Sequence, residues 1–169
     1  LDLAPTYADL LGIAPPPLWD GLSFAGAVRD ATSPGRSELI LSQCAHVCQR
    51  SVRWDRWLFL RTYHDGFQPF PKEMLFDLAT DPHELNDIAP SRTDLCREGS
   101  SRLMNWHDDQ MQKMARTCSD VTDPLWTVMH EGGPYHASHD PMKSELPKYL
   151  KRLEATGRAD GAKKLRERY

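Results

Sequence analysis

The stretch Met74–Ala89, MLFDLATDPHELNDIA, constrains the fold more than any other part of this chain. Its first residues are apolar and favour a strand, whereas Asp77, Asp81 and Pro82 favour a turn. The residue before a proline is also driven out of the helical region. The stretch therefore predicts a short strand that ends in a turn, followed by a polar segment that leads to a helix.

The chain has four segments with the composition of β-strands. The pair Asp55-Arg56 is placed to form a tight hairpin turn between the second and third strands. The third segment is apolar on both faces near its start, which is typical of a sheet that is covered on both sides. The sequence predicts an antiparallel sheet with the strands Glu38–Cys44, Gln49–Trp54, Trp57–Tyr63 and Glu73–Leu78.

Helical periodicity appears before and after these strands. A helix is predicted over Asp2–Ile13, and a long one runs from Thr93 or Asp94 to Cys118. The long helix covers one face of the sheet, and we expect a missing catalytic domain to cover part of the other face. The stripe that we expect to face the sheet consists of Cys96, Leu103, His107, Met111, Met114 and Cys118.

The C-terminal third is expected to be an irregular loop followed by helices. The stretch Asp120–Met142 is rich in Gly, Pro and His and is predicted to be a long loop. A helix is predicted to start at Ser144, with Pro147 in its first turn, and to end at Gly157. A last, mostly charged helical piece is predicted over Asp160–Tyr169.

Composition narrows the class of protein. The chain has 169 residues, 40% of them hydrophobic, which is enough for a packed core. The net charge is −3, although nine Lys or Arg against four Asp or Glu from Lys143 onward make the C-terminal end basic. That end lacks interleaved aromatic residues, so we expect no nucleic-acid partner. No apolar run approaches the length of a membrane span, and we expect no membrane partner.

Two clusters contain residue types that bind metals. Cys44-x-His46-x-Cys48 has zinc ligands, but on a strand these side chains stand about 6.6 Å apart, too far for one tetrahedral ion. Buried, unbound cysteines are therefore favoured, and no metal site is predicted. A second cluster, His136, His139 and Asp140, lies in the predicted loop, where an ordinary solvated loop is favoured over a metal or anion site.

Three motifs resemble segments of the sulfatase family. The first is the Met74–Ala89 stretch. The residues that stand in the matching places are Phe76, Asp77, Leu78, Asp81, Pro82, Glu84, Asn86, Asp87, Ile88 and Ala89. The second is Leu1–Ser23, with its Asp-Leu-x-Pro-Thr start, and the third is the hairpin Val52–Tyr63. The resemblance covers residues 1 to about 89 and identifies the chain as the C-terminal region of an arylsulfatase-like member of the alkaline phosphatase superfamily.

The resemblance implies an α+β fragment of a larger α/β sulfatase. Residues 1–30 would end the main domain, 31–119 would form the sheet and helix, and 120–169 a helical extension. In this family a formylglycine, made from Cys or Ser in Cys/Ser-x-Pro-x-Arg, attacks sulfur beside a calcium ion in the N-terminal domain. The chain contains no such motif. No catalytic residue and no cofactor are therefore expected in this fragment, and its partners are the N-terminal domain and, as an option, further copies in a homo-oligomer.

The resemblance also implies a structural role bordering the substrate cleft. His46, Arg61 and His64 are the candidate substrate contacts, because a sulfate ester accepts charge-assisted hydrogen bonds. Arg53 and Arg56 match the hairpin motif, so we expect them to be structural. The predicted parent function is hydrolysis of sulfate esters or sulfamates. Hydrolysis of phosphonates or phosphate monoesters and a free-standing interaction domain are the alternatives.

Overall fold

The structure is a computed structural model that describes residues 1–17, 19–31, 35–131, 133 and 141–168, the last stretch with side chains from 145 onward. It divides into two compact units, Leu1–Ser37 and Glu38–Tyr169. An antiparallel sheet, a long helix and a helical C-terminal extension confirm the predicted α+β class.

The first unit is a pair of short helices, α1 (Leu3–Leu10) and α2 (Ala25–Asp30). Asp2 fastens the connection between them, because its carboxylate accepts a hydrogen bond from the Leu22 amide at 2.8 Å and pairs with Arg36. The hydrogen bonds from Arg36 and from Leu22 lower the pKa of Asp2 to about 2. Polar contacts also join the end of α1 to α2, because Asp9 pairs with Arg29 and accepts a hydrogen bond from the Ser23 hydroxyl at 2.7 Å.

The second unit is built on a four-stranded antiparallel sheet in the order β1-β2-β3-β4. Each predicted strand is confirmed, and in each of them one end differs from the prediction by one residue. Asp55, which has a φ of 46°, makes the tight turn between β2 and β3. The strands are β1 (Glu38–Gln43), β2 (Cys48–Trp54), β3 (Trp57–His64) and β4 (Glu73–Asp77).

Helix α3 (Thr93–Thr117) packs on one face of this sheet, as predicted. Its buried residues belong to its N-terminal half, and their core partners on the sheet include Phe59 and Leu75. The predicted stripe was wrong in its C-terminal part, because Cys118 lies at the helix cap and is exposed. No residue of α3 after Leu103 is fully buried. The buried helix residues are Leu95, Cys96, Gly99 and Leu103.

The Met74–Ala89 stretch is held together by carboxylates that bind backbone amides. Asp81 accepts hydrogen bonds from the amides of Leu85 and Asn86, at 3.1 and 2.8 Å. Asp87 accepts from Leu75, at 3.0 Å, and thereby fastens the returning chain to β4. Such bonds explain why acidic residues recur in this stretch, since each one satisfies amides that the turn leaves unpaired.

The hairpin motif and this stretch are joined by one ion pair. The Arg56 Nε atom donates to the Asp77 Oδ1 atom at 2.6 Å, and a second bond makes the pair bidentate. The hydrogen bond from Arg56 lowers the pKa of Asp77. Arg53 is exposed on the neighbouring strand. The contact connects the β2–β3 turn to the end of β4.

The predicted loop Asp120–Met142 was wrong, because it contains helix α4 (Pro124–His130). Asp123-Pro124, which belongs to that predicted loop, begins this helix. The Asp123 carboxylate accepts a hydrogen bond from the Leu125 amide at 2.9 Å, and Pro124 occupies the first turn. A proline costs no hydrogen bond at that position, so the same dipeptide suits a helix start as well as a turn.

Two further helices, α5 (Pro141–Ala155) and α6 (Ala159–Arg168), form the C-terminal extension. The predicted start at Ser144 was wrong, and Pro147 lies inside α5 rather than in its first turn. Gly157, with a φ of 76°, connects the two helices. Their apolar sides pack with the loop after β3 in a cluster of Phe67, Leu153, Ala162 and Leu165. None of the described helices has the length and apolar composition of a membrane span.

Candidate functional site

Arg61 and Arg50 are cross-strand neighbours, and they lie on the face of the sheet that α3 covers. The pairing of β2 with β3 places the two residues opposite each other. Directly opposite residues of an antiparallel pair point to the same side of the sheet, so two guanidinium groups are brought together. Beyond them the register shifts between Cys48 and Gln49, and Cys48 then pairs with His64. The shift places His64 on this same face.

A cavity of about 200 Å³ opens between these strands, α3 and α4, and we call it the arginine pocket. Its wall combines cationic, hydroxyl-bearing and aromatic side chains. The Trp126 ring on α4 meets the Tyr63 ring edge-on, with the ring centroids 5.5 Å apart. The lining residues are Arg50, Arg61, Tyr63, Ser100, Leu103, Met104, His107, Asp108 and Trp126.

Arg50 is committed to a buried ion pair. Its Nη2 atom lies 2.9 Å from the Asp123 Oδ1 atom, and both side chains are nearly inaccessible to solvent. The guanidinium also donates to the Ser42 hydroxyl at 3.0 Å and stacks over the Trp106 ring at 4.8 Å. A buried arginine with this many partners is a fixed structural element, and it fastens α4 to the sheet.

Asp123 is the centre of this network. Burial raises the pKa of its carboxyl, but hydrogen bonds from Arg50 and from the Leu125 amide outweigh that effect and lower the pKa overall. The His107 Nε2 atom lies 3.2 Å from the Asp123 Oδ2 atom. That nitrogen is buried and has no hydrogen bond with acceptable geometry. The two observations together indicate a contact that is close but poorly aligned.

Arg61 is held much more loosely than Arg50. Its Nη1 atom lies 3.4 Å from the Ser100 hydroxyl and 3.7 Å from a Glu73 carboxylate oxygen. Both distances are long for a charge-assisted hydrogen bond, which is typically 2.7–2.9 Å. The guanidinium therefore keeps donors for a further acceptor, and the hydroxyls of Ser100 and Tyr63 lie on the same pocket wall. This arrangement can bind the oxygens of a small anion.

The structure does not gather the three predicted contacts into one site. Arg61 lines the pocket, whereas His46 is exposed in the turn between β1 and β2. His64 lies beside the pocket without lining it, and its Nδ1 atom accepts a hydrogen bond from the Gly66 amide at 3.0 Å. Burial lowers the pKa of His64. A Cβ atom on Gly133 would lie 2.7 Å from its ring, so the imidazole is tightly enclosed.

Few sequence patterns point to the other pocket residues. Tyr63 belongs to a predicted strand, and His107 belongs to the predicted stripe of α3. Ser100 and Trp126 carry no motif, and Trp126 lies in the segment that was wrongly predicted to be a loop. Strand alternation places Tyr63 on the same face as Arg61, whereas the position of His64 depends on a register shift, which alternation alone does not predict.

Of the two clusters with metal-ligand residue types, Cys44, His46 and Cys48 lie within the described residues. Among the residues that the structure describes, no three His, Cys, Asp or Glu side chains lie together as a metal site. The chain turns through Ala45–Val47 between the strands, so Cys44 and Cys48 are not on one strand, and all four cysteines are free. His136, His139 and Asp140 lie outside the described residues.

Comparison with known proteins relates this chain to sulfatases. It is 24% identical over 162 residues to choline-sulfatase from Rhizobium meliloti, a match that covers 89% of this chain and 30% of that protein. It is 37% identical over 100 residues to arylsulfatase K from Mus musculus, covering 53% of this chain and 17% of that protein. The matched part is the C-terminal part of these relatives. No protein-family model matches the chain.

The fold agrees with this relationship. The solved structure of a 2-O GAG sulfatase superposes with a TM-score of 0.54 at 25% identity, covering 73% of this chain and 27% of that one. The chain thus spans less than a third of the length of each protein to which we compare it. The chain therefore resembles the C-terminal region of those proteins.

Proposed function

Because this chain is a sulfatase-like C-terminal region, we propose that it is part of an enzyme that hydrolyses sulfate esters or sulfamates. The observation that carries this proposal is the match along 89% of the chain to a choline-sulfatase. The resemblance of the Met74–Ala89 stretch to a sulfatase motif supports it, and Asp77, Asp81 and Asp87 of that stretch all make the backbone or ion-pair contacts described above.

This region is structural in the proposal, and it is not itself catalytic. The sulfatase resemblance assigns the formylglycine and the calcium ligands to the N-terminal domain. In this proposal no residue of the chain binds the calcium ion or the formylglycine, and none takes part in cleavage of the sulfate ester. What this chain contributes is a rigid sheet and helix, on which side chains that contact the substrate can be held.

The N-terminal domain is the proposed partner, and the first unit offers a surface for it. Leu3 and Tyr7 on α1, and Leu11 directly after it, expose their apolar side chains, each more than half accessible. Exposed apolar residues at this density are typical of a contact surface. The matched relatives are more than three times as long as the part that this chain spans, so the remainder of the same enzyme is the occupant that we propose.

The arginine pocket is the part of this region that we propose to border the substrate cleft. Arg61 is its best candidate contact, because the guanidinium has long bonds to its neighbours and hydroxyl groups beside it. Arg50 is excluded from this role, since Asp123 already occupies its donors. In this arrangement Arg61 binds an anionic or polar part of the substrate and does not touch the sulfur that reacts.

The substitution Arg61→Gln in the full-length enzyme tests this assignment. We expect KM to rise about tenfold or more with kcat little changed, because a charge-assisted contact made equally in the ground and transition states is lost. Steady-state kinetics on a sulfate ester measures both constants. Arg53→Gln removes an exposed arginine from the neighbouring strand and is the matched control. An unchanged KM for Arg61→Gln would remove the pocket from the substrate cleft.

A further inference from the structure

A second and larger cavity lies in the C-terminal extension, away from the arginine pocket. It measures about 590 Å³ and opens between the loop after β3 and the α5–α6 pair, and we call it the C-terminal pocket. None of its lining residues lines the arginine pocket. Any ligand of the C-terminal pocket would therefore be held by residues that the proposed function does not use.

The floor of the C-terminal pocket is aromatic and aliphatic. The rings of Phe67 and Tyr149 stack with their centroids 5.7 Å apart and their planes inclined by 24°. Leu153 and Leu165 complete the floor, and both are 5% exposed. Because these residues already form a packed cluster, the floor is preformed and needs no rearrangement to receive a flat apolar group.

The rim of the pocket is predominantly basic. Arg158 and Lys164 line it, and neither forms an ion pair with a carboxylate in the part of the chain that the structure describes. A third cation, Arg168, pairs with the nearly buried carboxylate of Asp65. Asp160 is the acidic residue of the lining, so one positive charge remains in excess.

The pocket also contains polar groups that can orient a ligand. The Tyr149 hydroxyl accepts a hydrogen bond from the Gln68 side chain at 3.3 Å, which leaves its own proton for another acceptor. Gly157 and Gly161 lie on the wall beside it and bring no side chain into the space. An apolar floor with a few polar groups and a charged edge is the usual composition of a small-molecule site.

From this arrangement we propose that the C-terminal pocket binds a small aromatic anion. The ring of such a ligand stacks over Phe67 and Tyr149, and its negative group reaches Lys164 and Arg158 at the rim. A carboxylate, sulfonate or sulfate group satisfies the rim equally well, because each offers oxygen acceptors with one negative charge. The proposal is independent of the proposed hydrolase activity.

Isothermal titration calorimetry of the full-length protein with 2-naphthalenesulfonate tests this proposal. The probe has the required ring and charge, and its carbon–sulfur bond is not an ester, so a sulfatase does not cleave it. We expect saturable binding that weakens as salt is added, because the rim charges are accessible to solvent. The neutral analogue 2-naphthol is expected to bind about tenfold more weakly.

Substitutions at the rim localise the binding. Lys164→Gln combined with Arg158→Gln should weaken 2-naphthalenesulfonate binding about tenfold or more, whereas Lys164→Arg alone should retain it. Lys163→Gln is the matched control, because Lys163 is an exposed neighbour on α6 that does not line the pocket. The absence of saturable binding, or binding that the double substitution leaves unchanged, would overturn the proposal.

Discussion

Asp123 contacts three different elements of the second unit. Its carboxylate caps α4, pairs with Arg50 on β2 and approaches His107 on α3. One side chain thus joins three elements in a region that is nearly closed to solvent. The arginine pocket is bounded by those same elements, so its shape depends on this contact.

The substitution Asp123→Asn should be strongly destabilising. Asparagine still caps a helix, so the change isolates the ion pair and leaves Arg50 buried without its counter-charge. We expect a loss of about 3–5 kcal/mol in the free energy of unfolding, measured by urea denaturation. Asp120→Asn replaces an exposed aspartate nearby and is the control. A loss no larger than that of the control would show that the pair contributes little.

His64 makes the stability of the protein depend on pH. Burial lowers its pKa below the ordinary value of about 6.5, so the folded protein favours the neutral imidazole. The unfolded chain takes up a proton at a higher pH than the folded one. The stability that His64 contributes is therefore complete above the ordinary pKa, and it decreases as the pH falls through that value toward the lower folded pKa.

The substitution His64→Gln should reduce the loss of stability between neutral pH and about pH 5.5, because the group that titrates in this range is removed. Urea denaturation of both proteins at the two pH values measures the difference. His46→Gln, which removes an exposed imidazole, controls for the loss of a histidine as such. If His64→Gln and the unsubstituted protein lose stability equally, the buried imidazole is not the cause.

At the scale of elements, the contact between α3 and the sheet depends on Gly99. A Cβ atom at this position would lie 2.5 Å from the Cγ atom of Phe59, whose side chain is fully buried. The helix therefore approaches the sheet more closely there than any larger residue permits. Three glycines outside the helices, Gly12, Gly35 and Gly157, instead have open space around them.

The substitution Gly99→Ala should destabilise the protein by about 1–3 kcal/mol, because the added methyl group overpacks the core against Phe59. Gly161→Ala is the matched control on α6, where the nearest atom would lie 4.0 Å from the new Cβ. It should stabilise by up to about 1 kcal/mol through helix propensity. Urea denaturation of the two variants should give changes of opposite sign, and a neutral Gly99→Ala would contradict the close approach.

Elements with strong local signals could be predicted from the sequence. The four strands and the Asp55-Arg56 turn were predicted to within one residue, and α3 was predicted because helical periodicity extends over a long run of residues. Helix α4 was missed, since a capping aspartate followed by proline is also the signal of a turn. Arg61, which lines the arginine pocket, was selected from its chemistry as a substrate contact, and that role stays a prediction. Ser100 and Trp126 could not be predicted, because their positions depend on tertiary packing.

At the scale of the whole molecule, this chain is one region of a larger enzyme in our account. The relatives that it matches are much longer, and the residues that resemble sulfatase motifs are engaged in structural contacts. Because β3 is apolar on both faces, we predicted that the sheet face opposite α3 is also covered by protein. That cover stays a prediction. In the same account the N-terminal domain supplies that cover and packs on the apolar side of α1.

Side-by-side hydrolysis assays of the full-length protein on an aryl sulfate and an aryl phosphonate test the central claim most directly. The 169-residue chain alone is measured beside it. We predict that the full-length protein cleaves the sulfate ester in clear preference to the phosphonate and that the chain alone cleaves neither. Preference for the phosphonate would contradict the sulfatase assignment, and sulfate hydrolysis by the chain alone would contradict its structural role.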